Sequence, residues 1–178
     1  MDAKRYSQAA SKAGFRLIGI DRPGYGATTA MPGRSIRDWT TDALAIADHL
    51  GLQNFFMQGD STGGSYALAT ASVAPEHVVG VLVCCGMSDM RWANEVDEAK
   101  MDEALPIWNA PARNIAITIA ANQLGEQGEK MMEIEPDAPP VLSPPDIDTI
   151  MDPAFAENDP TNASFSQGVV GYADDRIA

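Results

Sequence analysis

Hydrophobic positions in the first half of the chain follow two different spacings. Residues 1–14 and 39–50 carry apolar side chains at steps of three and four, and a glycine closes each stretch. This spacing is typical of amphipathic helices, and glycine suits a helix end. Three shorter runs, rich in β-branched and aromatic residues, predict buried parallel strands at residues 15–20, 55–58 and 78–84. Strands that alternate with helices predict an α/β fold with a parallel sheet and right-handed crossovers.

Residues 91–178 differ from residues 1–90 in charge and in proline content. Residues 1–94 carry eight basic and eight acidic side chains, whereas residues 95–178 carry four and seventeen, and nine of the twelve prolines follow residue 94. Helical spacing recurs in this second half, at residues 95–105, 111–124, 126–134, 144–151 and 158–177. We therefore predict an α/β core over residues 1–90 and a helical, acidic region over residues 91–178, whose carboxylates form a solvated outer face.

The composition of the whole chain disfavours several classes of partner. A net charge of −13 opposes binding to nucleic acid and to anionic membranes. No apolar run approaches the ~20 residues of a membrane span, and no signal-peptide segment is recognised. We expect a cytoplasmic protein in which the adjacent Cys84 and Cys85 stay free thiols, since neighbouring strand residues point to opposite faces. We predict neither a metal nor a cofactor.

One hexapeptide carries the candidate chemistry: Gly59-Asp60-Ser61-Thr62-Gly63-Gly64. It lies between a predicted strand and a predicted helix, which is the context of a nucleophile elbow. A serine on so sharp a turn exposes its hydroxyl, and the glycines on either side leave room for the tight backbone. Ser61 is therefore the candidate nucleophile, and the backbone N–H of Thr62 is the candidate oxyanion donor. The alternative is a glycine-rich turn that binds nothing or binds a phosphate.

Residues 1–89 resemble the α/β-hydrolase family. The resemblance rests on the turn Asp21-Arg22-Pro23-Gly24-Tyr25-Gly26, on the helix-bearing spacer after it, and on the Ser61 elbow. Asp60 departs from the family, which often has histidine at that position. The resemblance implies a partial α/β-hydrolase fold with a helical cap, and hydrolysis of an ester, a related acyl bond or a C–C bond in a small-molecule substrate. The Gly-Asp-Ser-Leu lipases are less similar, since they place the serine after the first strand and lack that turn.

A base that would activate Ser61 is missing from the predicted site. His49 and His77 both precede strands, at the edge of the sheet opposite Ser61, so neither is expected to reach its hydroxyl. Asp89 follows the third predicted strand on the Ser61 edge and, by the resemblance, is a possible triad acid, although it could instead cap a helix. In the family the histidine follows two further strands. We therefore expect a chain truncated at both ends, with little esterase activity.

Two hypotheses about function remain open at this point. The chain is either a serine hydrolase represented by an incomplete chain, or a non-catalytic binding or regulatory protein on a degenerate α/β-hydrolase fold. For the sheet, we expect the strands at residues 15–20 and 55–58 to pair directly, or to leave a slot that another chain fills. Unpaired strand edges of this kind are costly when buried, and they suggest a homo-oligomer.

Overall fold

Two of the three predicted strands, those at residues 55–58 and 78–84, form a parallel sheet. In this computed structural model, β1 (Phe55–Asp60) pairs with β2 (Val78–Cys84), with Phe55 opposite Val78 and Asp60 opposite Cys84. A two-stranded parallel sheet with flanking helices confirms the predicted α/β class. The structure describes residues 3–87, 105–131, 143–151 and 161–178.

The described residues form two compact units. One contains residues 1–30 and 120–171, and the other contains residues 31–119 and 172–178. The predicted domain boundary at residues 90 and 91, and most of the predicted helix at residues 95–105, lie outside the described residues, so both stay predictions. The helices used below are α1 (Ala3–Lys12), α2 (Asp38–His49), α3 (Thr62–Val73), α4 (Arg113–Leu124), α5 (Pro144–Met151), α6 (Thr161–Ser164) and α7 (Val170–Ile177).

The unit that holds the sheet has its core between β1, β2 and two helices. α3 packs against both strands, and α2 packs against α3. Trp39, Ala43 and Ala47 of α2 are buried, as their spacing predicts. The ring of Trp39 meets the buried ring of Tyr66 edge-on, with 6.3 Å between the ring centroids. This packing holds α3 in place beneath the turn that precedes it.

Residues 15–20 do not form a strand, so the prediction that they pair with β1 is wrong for the described part of the chain. Their backbone is irregular and belongs to the other unit. The amide of Phe15 donates to the carbonyl of Ala10 at 2.9 Å, which closes α1, and a Cβ on Gly19 would lie 2.5 Å from the Cβ of Ala3. The segment therefore packs against α1. β propensity favours extended backbone but does not select a pairing partner.

Two of the helices predicted in the second half are replaced or interrupted by turns. α4 and α5 lie close to their predicted positions, whereas the predicted helix at residues 126–134 is replaced by turns over residues 126–131. Gly125 (φ +80°) and Gly128 (φ +71°) adopt the left-handed conformation, which ends a helix. Gly168 (φ +72°) lies between α6 and α7, where a single helix was predicted.

The Asp21–Gly26 turn is bound by the segment between α6 and α7. The amide of Gly26 donates to the carbonyl of Ser164 at 2.9 Å, and the Ser166 hydroxyl donates to the carbonyl of Gly26 at 2.7 Å. The buried rings of Tyr25 and Phe165 lie 6.1 Å apart. These contacts span about 140 residues of sequence, which no local pattern could have predicted. Among the described residues, no helix has both the length and the apolar character that crossing a bilayer requires.

Candidate active site

Ser61 occupies a strained turn between β1 and α3. β1 ends at Asp60, α3 begins at Thr62, and Ser61 between them has φ 52° and ψ −124°. Positive φ is unfavourable for a residue with a Cβ and is concentrated at functional sites. The Ser61 side chain is exposed. The predicted strand, sharp turn and helix are therefore present at the predicted residues, and they present the hydroxyl to solvent.

Close backbone contacts explain the glycines around Ser61. A Cβ on Gly59 would lie 2.1 Å from the carbonyl oxygen of Gly63, which is a severe steric clash. A Cβ on Gly64 would lie 2.7 Å from a methyl carbon of Val83 on β2. The missing side chain of Gly59 lets the chain reverse direction, and the missing side chain of Gly64 lets α3 approach the sheet.

The loop after β2 holds the turn from the other side. The Ser61 amide donates to the carbonyl of Cys84 at 3.0 Å, and the Met87 amide donates to the carbonyl of Ser61 at 3.1 Å. The Ser65 hydroxyl donates to the carbonyl of Met87 at 2.8 Å. Burial raises the pKa of the Cys84 thiol, and the neighbouring Asp60 carboxylate raises it further. Cys84 therefore stays a neutral thiol near neutral pH and does not compete with Ser61 as a nucleophile.

Thr62 stands at the start of α3, where helix N–H groups have no intrahelical partner. The first turn of a helix also carries a partial positive charge. The side chain of Thr62 is buried, and its hydroxyl accepts a hydrogen bond from Nη1 of Arg176 at 3.2 Å. The second terminal nitrogen of Arg176 lies 3.9 Å from the sulfur of Met87. A guanidinium group thus lies beside the residue that follows Ser61.

The two histidines lie where the sequence predicts, far from Ser61. The exposed His49 ends α2. His77 precedes β2, its ring Nδ1 lies 2.8 Å from the carbonyl oxygen of Gln53, and its own carbonyl accepts from the Phe55 amide at the beginning of β1. A six-residue strand is about 20 Å long at ~3.3 Å per residue. Neither histidine can therefore take a proton from Ser61. Asp89 lies outside the described residues and stays a prediction.

A second group of charged residues lies in the same unit, and sequence reasoning missed it. We call it the Arg34 cluster: Arg34, Tyr66, Arg113, Asp174 and Asp175. The fully buried side chains of Arg34 and Asp175 form an ion pair, and the Tyr66 hydroxyl donates to Asp175 at 2.7 Å. Arg113 binds Asp174 through two hydrogen bonds of 2.7 and 3.0 Å. Arg34 also lies 3.7 Å from Asp174.

The Arg34 cluster contradicts, for Asp174 and Asp175 only, the expectation that the acidic residues of the second half form a solvated face; Glu126, Glu129 and Asp148 are exposed. Asp174 and Asp175 are 2% and 1% exposed. The signal available in the sequence was the run Asp174-Asp175-Arg176 among small and apolar residues. Three consecutive residues of a helix point in different directions, so a helix that packs against the protein cannot expose all three charges. In the described part of the chain, no three His, Cys, Asp or Glu side chains converge as metal ligands.

Comparison with known proteins adds the family. A family profile described as alpha/beta hydrolase fold matches residues 5–134, a stretch that includes the Ser61 turn. The dihydrolipoyllysine-residue acetyltransferase component of the acetoin cleaving system from Pseudomonas putida is 30% identical over 77 residues, which cover 43% of this chain and 21% of that protein. The match thus spans about a fifth of that relative, and no solved structure matches. Because the profile covers well over half of the chain, the resemblance noted in the sequence is confirmed: the chain belongs to the α/β-hydrolase fold family.

Proposed function

We propose that the protein is a serine hydrolase that cleaves an ester, a related acyl bond or a C–C bond of a small molecule, with Ser61 as nucleophile. The observation that carries this proposal is the strained turn, in which an exposed serine has φ 52° between a strand and a helix. Strain of this kind persists only where the surrounding structure enforces it. Here, the backbone hydrogen bonds of Ser61 to the Cys84 carbonyl and from the Met87 amide enforce it.

The proposed reaction follows from the groups around the turn. The Ser61 Oγ attacks the electrophilic carbon of the substrate, and the negative charge that develops on the substrate oxygen faces the Thr62 N–H at the positive end of α3. The name of the Pseudomonas putida relative describes acetyl transfer, which supports an acyl group as the reacting part of the substrate. Attack also requires a base to take the Ser61 proton, and neither histidine is close enough to act as one.

We therefore expect weak turnover by this chain. Positioned proton transfer contributes about 10²–10⁴-fold to a rate, so its absence alone removes most activity. Short-chain p-nitrophenyl esters should be cleaved at the same low rate by the wild-type chain and by Ser61→Ala. A wild-type chain that turns over at an ordinary enzyme rate, with Ser61→Ala inactive, would show that a base acts on Ser61 after all.

The nucleophile itself is tested by covalent labelling. A fluorophosphonate probe should modify Ser61 slowly and selectively, and mass spectrometry of the digested protein identifies the modified residue. The neighbouring Ser65 is an internal control, because its hydroxyl donates to a carbonyl and lies within α3. Modification of Ser65 or another residue, with Ser61 unmodified, would contradict the assignment and favour the non-catalytic binding protein.

A further inference from the structure

Arg176 differs from the other buried arginine of its unit in having no carboxylate partner among the described residues. Arg34 pairs with Asp175, and the partly exposed Arg113 pairs with Asp174. Arg176 forms no ion pair within the described ranges, yet the residue is only 8% exposed. Burying a cation without an anion is costly, and proteins rarely do so unless a partner compensates the charge.

Within the part of the chain that the structure describes, the groups that contact Arg176 are neutral. They are the hydroxyl of Thr62 at 3.2 Å, the sulfur of Met87 at 3.9 Å, and the ring of Tyr172, whose centroid lies 3.5 Å from the guanidinium carbon. The aromatic ring and the hydroxyl orient the guanidinium group, but they leave its positive charge uncompensated. The Asp60 carboxylate, at the end of β1, interacts with the Cys84 thiol.

Arg176 contacts two residues that adjoin the proposed nucleophile, Thr62 and Met87. Thr62 follows Ser61 directly in the chain, and the amide of Met87 donates to the carbonyl of Ser61 at 3.1 Å. The positive end of α3 points at the same region. The guanidinium group and the first turn of α3 both contribute positive charge beside Thr62, in a chain whose net charge is −13.

We propose that Arg176 binds a carboxylate of the substrate, so that Ser61 acts on monoesters or related acyl compounds that carry a second, anionic group. This inference rests on the proposed function, because it assigns the substrate class of that same site. A guanidinium group presents parallel N–H donors that match the two oxygens of a carboxylate. In the bound state, the substrate would supply the anion that the described residues do not offer to Arg176.

Binding of two matched ligands tests the proposal without requiring turnover. Monomethyl glutarate has one ester and one carboxylate, whereas dimethyl glutarate has two esters and no charge. Isothermal titration should show tighter binding of the monoester, by about ten-fold or more, because hydrogen bonds between charged groups are among the strong ones. Arg176→Met should abolish this preference, and Arg176→Lys should retain part of it. Arg37→Met is the matched control, because the exposed Arg37 lies before α2 and belongs neither to α7 nor to the Arg34 cluster, and it should keep the full preference.

Two further measurements keep the outcome interpretable. If Arg176→Met fails to fold, the side-chain Nε–H resonance of Arg176 in the wild-type protein should still shift on addition of the monoester, while that of Arg113 stays in place. Equal binding of both esters by the wild-type chain, or inorganic phosphate binding more tightly than the monoester, would overturn the carboxylate proposal. Failure of fluorophosphonate to label Ser61 would instead overturn the proposed function, whatever the binding preference.

Discussion

The Ser61 turn and the Arg34 cluster lie in the same unit but are built in opposite ways. The turn depends on six consecutive residues whose glycines contact one another's backbone. The Arg34 cluster joins side chains separated by up to 141 residues, and its charges are buried. The turn could be predicted from a short motif, whereas no local pattern identified the partners that pair in the Arg34 cluster. Local geometry thus presents the nucleophile, and long-range ion pairs hold α7, which carries Arg176.

The largest expected effect comes from breaking the Arg34 cluster. Arg34→Met should reduce the free energy of unfolding by about 3–5 kcal/mol, because it leaves the buried Asp175 carboxylate without its cation. Urea unfolding followed by circular dichroism measures the loss.

A double variant then isolates the charge in that prediction. Arg34→Met combined with Asp175→Asn should be less destabilised than the sum of the two single variants, since the uncompensated charge is gone. A loss for Arg34→Met below about 1 kcal/mol, the value for exposed ion pairs, would contradict the burial of this pair.

The next largest effect tests whether the Ser61 turn depends on its own glycines. Gly59→Ala should cost about 1–3 kcal/mol and prevent fluorophosphonate labelling of Ser61, because its Cβ would overlap the Gly63 carbonyl group. Unfolding and labelling are measured on the same sample.

Gly80→Ala on β2 is the matched control for Gly59→Ala. Its Cβ would lie 3.2 Å from ring carbons of Phe56, a side chain that is 63% exposed to solvent. This change should alter stability by at most about 0.5 kcal/mol and leave labelling intact. Equal effects of the two substitutions would mean that the motif glycines have no special role.

A smaller effect is expected at the exposed side of the Arg34 cluster. Arg113→Gln should cost only about 1 kcal/mol, since its side chain is 33% exposed and solvent screens the pair with Asp174. Raising the salt concentration to ~1 M should shrink the difference from the wild type, because the Debye length falls to ~3 Å. A loss as large as that of Arg34→Met would show that both ion pairs are equally shielded from water.

The smallest effect concerns a local pair at the beginning of α2. Hydrogen bonds from the amide and the hydroxyl of Ser35 lower the pKa of Asp38. Ser35→Ala removes the hydroxyl and should raise that pKa toward 3.8, which an NMR titration of the Asp38 carboxyl carbon detects. A lowered folded pKa stabilises the fold above the unfolded value, and this contribution is lost as the pH falls through the folded value. An unchanged pKa would contradict the bond to the hydroxyl.

The sequence by itself determined the elements whose causes lie within a few residues. The apolar spacing from Trp39 to Leu50 produced α2, and the glycines around Ser61 produced the sharp turn between β1 and α3. Both are local because they depend on backbone conformation and on contacts between near neighbours. The same reasoning failed at residues 126–131, where turns that include the left-handed Gly128 replace the separate helix predicted at residues 126–134.

Only the tertiary structure decided which partners these elements meet. Residues 15–20 and 55–58 have similar compositions, yet β1 pairs with β2 while residues 15–20 pack on α1, because pairing depends on what the rest of the chain brings alongside. The same holds for charge. Asp174 and Arg176 are ordinary surface residue types in the sequence, and both are buried because α7 carries them against Arg113 and Thr62.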